Sequence, residues 1–202
     1  MAEAPLTCVI EIPKGSRNKY EYDPELGGFK LDRFLSASVV YPTDYGFLPE
    51  TLAPDGNPLD VLVCVSEPTF PGCAVLADPI GLFRMEDEKG PDDHVVCVPC
   101  HDPGWNLLAE VVDLPAKLRA EIRHFFSVYN DLDPRRHSKV NGWADRAAAL
   151  TTICEARSRF QSQHPDCVTL HGFFQPSAPR PPLILSGPRR SRHASTPPRA
   201  SR

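Results

Sequence analysis

The sequence predicts a mainly β domain of the α+β class: a barrel-like set of short strands, then two helices, then a polar tail. Three observations predict it. Apolar and β-branched residues recur in short runs separated by turn residues through the first two thirds. Two later segments carry apolar residues at helical spacing, and past about residue 165 the periodicity gives way to Pro, Ser and Arg. At 202 residues, with 41% hydrophobic and 24% charged content, the chain can bury one substantial core.

Strands are expected at Cys8 to Ile12, Lys19 to Tyr22, Phe29 to Phe34, Val61 to Val65, Ala74 to Phe83 and Val95 to Val98. Asp23-Pro24-Glu25-Leu26-Gly27-Gly28 joins the second and third as a hairpin, with Pro and Gly in turn roles. Alternation along the second strand puts Lys19 and Glu21 on one face, opposite Tyr20 and Tyr22. The first helix is expected to open near Asp113-Leu114-Pro115, with Leu118, Ile122, Phe125, Phe126 and Tyr129 on the stripe that packs on the barrel. The second is expected from about Trp143 to about Phe160, with Trp143, Ala147, Leu150 and Cys154 facing inward and several Arg outward. Residues 1–165 therefore form the expected domain. Residues 166–202, rich in Pro and Arg, are expected to be a disordered tail.

Charge divides the chain at the same place. All 26 acidic residues lie at or before Asp166, whereas Arg180, Arg189, Arg190, Arg192, Arg199 and Arg202 are the charged residues beyond it. The first 166 residues thus hold 16 basic against 26 acidic side chains, and an acidic protein that handles an anion needs cations as intermediaries. The Arg-rich tail is read as a solvated end, with nucleic acid not expected as a partner. Seven Cys, an odd number lying mostly in apolar runs such as Val61-Leu62-Val63-Cys64-Val65, suggest reduced thiols in a cytoplasmic protein. No stretch approaches the roughly 18 apolar residues that a membrane-spanning helix needs.

The densest chemistry lies in Asp55-Gly56-Asn57-Pro58-Leu59-Asp60, shortly after Tyr41-Pro42-Thr43-Asp44-Tyr45-Gly46. Gly56 allows a reversal, Pro58 fixes φ, Leu59 anchors the turn, and Asp55 and Asp60 can converge on a hard cation. Asp87 and Asp92 repeat the spacing in Met85-Glu86-Asp87-Glu88-Lys89-Gly90-Pro91-Asp92-Asp93. Ahead of both stand Glu11, Lys19, Glu21 and Arg33. In this order, from about Cys8 to about Phe160, the motifs resemble the active-site core of the family I soluble inorganic pyrophosphatases, in their bacterial, actinobacterial-like form. The resemblance implies a five-stranded OB-like barrel flanked by two C-terminal helices. It also implies Mg²⁺ as cofactor with Mn²⁺ as an alternative, inorganic diphosphate as substrate, and a homohexamer.

Carried over residue by residue, the resemblance makes Asp55, Asp60 and Asp92 the principal metal ligands, Asp87 with Asp92 a further pair, and Glu11 and Glu21 outer acidic positions. Lys19, Arg33, Tyr45 and Tyr129 match phosphate-cradling positions, with Tyr41 in support. Three positions depart. Asn57 stands where the family has an Asp usually taken as proton acceptor for the attacking water, and an amide cannot accept that proton. His94 and Asn130 stand where it usually has Lys, which removes charged hydrogen bonds to phosphate. Two readings follow: hydrolysis of diphosphate at reduced efficiency, or a homologue that binds metal or diphosphate, or assists assembly, without efficient turnover. Hydrolysis of another phosphoanhydride is a third option. Cys97-Val98-Pro99-Cys100, flanked by His94 and His101, has zinc-binding residue types, but Cys97 continues an apolar strand and no second Cys pair follows.

Overall fold

The computed structural model describes residues 4–165, so the tail assigned to 166–202 lies outside the described residues. Five strands close into a ring. Strand β1 (Leu6–Ile12) pairs with β4 (Asp44–Leu48), β4 with β5 (Leu59–Val63), β5 with β8 (His94–Pro99), β8 with β6 (Ala74–Asp87), and β6 returns to β1. The β5–β8 contact is parallel and the other four are antiparallel. This is the expected OB-like barrel, with no unpaired edge in its wall.

Period-2 alternation sorts the side chains into two cores. Val61, Val63, Leu82, Val95 and Cys97 belong to one cluster, while Leu62, Phe83, Val96 and Val98 belong to the other. The Cys97 thiol meets that of Cys8, on a strand not adjacent to its own in the ring, so the first cluster fills the barrel interior. The second coats the outer wall. Helix α1 (Ala116–Val128) covers that wall with buried Ile122, Phe125 and Phe126, and with Leu118 and Tyr129 packed beside them, the stripe read from the sequence. Pro115 sits at its N-cap, where a missing N–H costs nothing.

The other elements frame the wall. Strands β2 (Asn18–Asp23) and β3 (Gly28–Phe34) form the expected hairpin, its turn held by the Asp23 carboxylate accepting from the amides of Glu25 and Leu26. The dipeptide strand β7 (Gly90–Pro91) folds back on Glu86 and Asp87. Between β4 and β5, the Thr51 hydroxyl donates to Leu48 O at 2.6 Å and accepts from Leu59 N at 2.9 Å, closing the base of the long loop. Gly46 is required where β4 crosses β1, since a Cβ there would lie 1.9 Å from Val9 O.

Two expectations need correction. Trp143 is not helical: Ser138–Ala144 is strand β9, which extends the sheet along β6 with Trp143 opposite Phe83. Helix α2 spans Arg146–Gln163, and its start is set by Asp145, whose side chain accepts from Ala148 N at 2.9 Å. Its buried face is Ala149, Ile153 and Ala156, with Ala147 and Cys154 exposed and Leu150 partly buried. Starting the helix too early rotated the assigned stripe. The corrected face predicts that Ile153→Ala costs about 2–5 kcal/mol in urea unfolding, whereas Cys154→Ala changes stability by less than about 0.5 kcal/mol.

Candidate active site

Alternation along β5 places Leu59 and Val61 in the interior and turns Asp60 outward. There it meets Tyr45 from the neighbouring strand, whose hydroxyl donates a short hydrogen bond to Asp60 Oδ2. His94, the first residue of β8, brings Nε2 to 3.7 Å from Asp60 Oδ2 and 3.5 Å from Asp92 Oδ1. Asp92 is held in turn by its amide donating to Met85 O at 2.9 Å. Among the described residues, Asp60, Asp92 and His94 are the group of acidic, His or Cys side chains whose ligand atoms all lie within 4.8 Å of one another.

His94 is not a surface residue. It is 1% exposed, with its ring against Phe83, Phe126 and Tyr45 at centroid distances of 6.1, 5.0 and 5.5 Å, and neither ring nitrogen has a hydrogen-bond partner. The contacts to Asp92 and Asp60 are therefore electrostatic attractions short of hydrogen bonds. Asn130 is buried as well, and accepts from Arg33 Nη2 at 3.5 Å, so neither replacement of the expected Lys is a neutral surface change.

The remaining candidates border this group. Glu11, on β1, accepts from Tyr22 N at 2.7 Å, and Lys19 bridges to Glu21 at 2.9 Å on the shared face expected of them. Tyr41 is buried between Tyr45 and Phe125, and Tyr129 stacks on Phe125 at 5.3 Å. Asp55 is not part of that group. Its carboxylate accepts from the Asn57 amide N–H at 3.0 Å and, in a short contact, from the Asn57 side-chain amide, with Lys89 Nζ at 3.9 Å. Gly56 makes this turn at φ 90°. Asp87 accepts from Lys89 N at 2.7 Å in a turn of its own.

Acidity reports the crowding. Burial pushes the Glu11 carboxyl up to about 7, and nearby Asp60 adds to it. Burial likewise lifts Asp60 to about 6, with Asp92 raising it further while His94 and the Tyr45 hydroxyl pull it down. At Asp92, attraction to His94, Lys19 and Lys89 outweighs the burial that opposes it, and the carboxyl stays below its usual range. At His94, burial disfavours charge, but Asp92, Asp60 and Asp93 prevail and raise it. The lift at Glu11 and Asp60 comes chiefly from burial of the charged form, a cost that a bound cation beside them would offset.

Sequence reading missed the contribution of α2. A cleft of about 140 Å³ beside Asp55, Asn57, Asp60 and Asp92 is completed by Thr152, Glu155 and Arg159. Arg159 Nε donates to Leu52 O at 2.8 Å, and Leu52 N donates to Ala156 O at 3.0 Å, which clamps the helix to the segment leading into the Asp55 turn. No local pattern marks an Arg near the end of a helix for that task. The zinc reading fails in space: Cys97 points into the barrel, Cys100 donates to Asp78 at 3.5 Å, and His94 faces carboxylates.

A closed five-strand barrel carrying a buried acidic, phenolic and imidazole cluster on its outer wall, beneath a helix, is an OB-like barrel protein with a candidate metal centre. The chain belongs to the inorganic pyrophosphatase family, whose profile matches residues 8–161. It is 49% identical over 164 residues to an inorganic pyrophosphatase of Methanosarcina mazei, covering 81% of this chain and 96% of that one. It is 50% identical over 154 residues to one of Streptomyces coelicolor, covering 76% and 94%. The crystal structure of the Thermus thermophilus inorganic pyrophosphatase superposes with a TM-score of 0.75 at 46% identity, covering 77% of this chain and 90% of that one.

The α2 clamp yields a test independent of activity. Arg159→Lys lacks the Nε–H donor, so hydrogen exchange at Leu52, Ala53 and Gly56 should speed up roughly ten-fold, the equivalent of about one hydrogen bond, while β4 and β5 stay protected.

Proposed function

We propose that this protein hydrolyses inorganic diphosphate to two phosphates with divalent metal ions, Mg²⁺ being the expected one. The observation that carries the reading is the convergence of Tyr45, Asp60, Asp92 and His94 on the wall of a barrel of this family. The donor set fits a cation: hard carboxylate oxygens, two carboxyls lifted in pKa, and a buried imidazole without a partner. Asp55, Asp60, Asp87 and Asp92 would hold the ions, with Glu11 and Glu21 at the periphery. Bound there, such ions neutralise phosphate charge and acidify a water molecule.

The chain's own groups supply the rest. Lys19, Arg33 and Tyr129 offer donors to phosphate oxygens, and the Tyr45 hydroxyl orients Asp60 by fixing one of its oxygens. Asn57 is exposed at the rim of the cleft and donates to Asp55, so it ties down a carboxylate instead of taking a proton. Turnover at reduced rate is the expected consequence, since a positioned general base contributes roughly 10²–10⁴-fold. No helix among the described residues is long and apolar enough to cross a membrane. The six described cysteines are free, which supports a cytoplasmic setting, and a homohexamer is the assembly proposed.

Phosphate release from diphosphate and Mg²⁺ by protein free of host pyrophosphatase tests the reading. Asp60→Ala should abolish release and remove the tightest ion, while Cys97→Ala leaves metal content unchanged. Asn57→Asp should accelerate release, up to the roughly 10²–10⁴-fold of a restored base. Bound metal with no phosphate from the wild type or from Asn57→Asp would overturn the assignment.

A further inference from the structure

We propose that His94 is a metal ligand, making the Asp60–Asp92 centre a mixed nitrogen and oxygen site that selects a first-row transition-metal dication over Mg²⁺. The inference deepens the diphosphatase reading by putting a transition-metal dication, in place of the Mg²⁺ that the resemblance implies, at this one centre, and rests on that reading only for the use of the site.

Three observations carry it. First, the ring is buried, and Nε2, the nitrogen turned towards Asp60 and Asp92, lacks a hydrogen-bond partner, a costly arrangement that folded proteins keep when something else satisfies the group. Second, its aim is fixed. Phe83 lies nearly parallel to the ring at 7°, Tyr45 meets it edge-on at 75°, and Phe126 packs at 5.0 Å, so that Nε2 faces the two carboxylates. Third, the separations suit coordination. With metal–ligand bonds of about 2.0–2.2 Å, donors around a tetrahedral ion sit about 3.3–3.6 Å apart. Nε2 stands 3.5 Å from Asp92 Oδ1 and 3.7 Å from Asp60 Oδ2, too far for good hydrogen bonds and suited to two donors sharing one ion.

Donor chemistry then decides the metal. Carboxylates alone suit Mg²⁺, which takes oxygen ligands and dehydrates reluctantly. A neutral imidazole donates a nitrogen lone pair that strengthens along the series from Mn²⁺ through Co²⁺ and towards Zn²⁺, and it adds little for Mg²⁺. Two carboxylates and one imidazole leave positions open for water and phosphate oxygen, so the centre remains usable for hydrolysis. The aromatic packing also means that the ring's orientation does not depend on a hydrogen bond at Nδ1, the usual orienting device at metal-bound His.

The test uses full-length protein stripped with a chelator, without substrate. Co²⁺ titration followed by its visible absorption should show tight binding that a hundred-fold excess of Mg²⁺ displaces poorly, and pulsed EPR of the Mn²⁺-loaded protein should show coupling to a ¹⁴N nucleus. His94→Lys, the residue type that the resemblance places here, should abolish the ¹⁴N coupling and weaken Co²⁺ at least roughly ten-fold without weakening Mg²⁺. Should that variant misfold, His94→Gln serves for the same comparison. Wild-type protein without ¹⁴N coupling, or with a Co²⁺ affinity and spectrum unchanged in both variants, would overturn the proposal. Nitrogen coupling in a protein that releases no phosphate would sink the diphosphatase reading and leave this one standing; phosphate release without nitrogen coupling would do the reverse.

Discussion

The hydrogen bond from Tyr45 to Asp60 depends on β4 and β5 being paired in one register and no other. Tyr45 lies opposite Leu62 and Asp60 opposite Phe47, so the two polar groups approach along one face of the wall. A slip by one residue would turn Asp60 into the barrel interior and Leu59 or Val61 out towards solvent. The apolar interior, filled from all five strands, therefore holds the site together as firmly as it holds the fold. Gly46 contributes by letting β4 lie against β1, and buried Asp44 fixes the strand's start by accepting from Lys14 N and from the amide and hydroxyl of Thr69.

Around that fixed point the site is built from parts of unequal stiffness. Asp60 and His94 are on barrel strands, and Asp92 is tied to Met85 beside them. Asp55 and Asn57 instead ride on a turn stapled at its base by Thr51 and steadied from α2 by Arg159. The Asn57 backbone and side-chain amides both donate to the Asp55 carboxylate. An Asp at that position would keep the backbone N–H bond to Asp55 but replace the side-chain amide donor with a second carboxylate, a like-charge contact that an amide avoids. Asn57 thus holds the turn with its own hydrogen bonds.

Much of this was legible from the sequence because it is local. Turn chemistry announced the Asp23–Gly28 hairpin and the Asp55 loop, period-2 runs announced the barrel strands, and helical spacing announced the α1 stripe. The failures are tertiary in origin. Ser138–Ala144 is polar and interrupted by Gly142, and it becomes a strand because β6 offers it partners. Overlooking it displaced the start of α2 and rotated its inward face. Arg159 and the burial of His94 were invisible for a similar reason: each acts through groups distant in the chain, which neither spacing nor composition encodes.

The three departures from the family pattern can be weighed together as charge. Asn57 removes one negative charge, while His94 and Asn130 remove two positive ones, so with His94 neutral the site is one unit more negative than the pattern it resembles. A lysine gives phosphate a permanent, strongly hydrated cation on a flexible stem, which a buried ring wedged among Phe83, Phe126 and Tyr45 cannot reproduce. On the proposal made for His94, a dication held by nitrogen as well as oxygen would supply positive charge at the carboxylates themselves. The lysine that the resemblance implies here and the imidazole ligand are, on that proposal, alternatives: one sets a fixed cation at the phosphate, the other holds a mobile one more firmly.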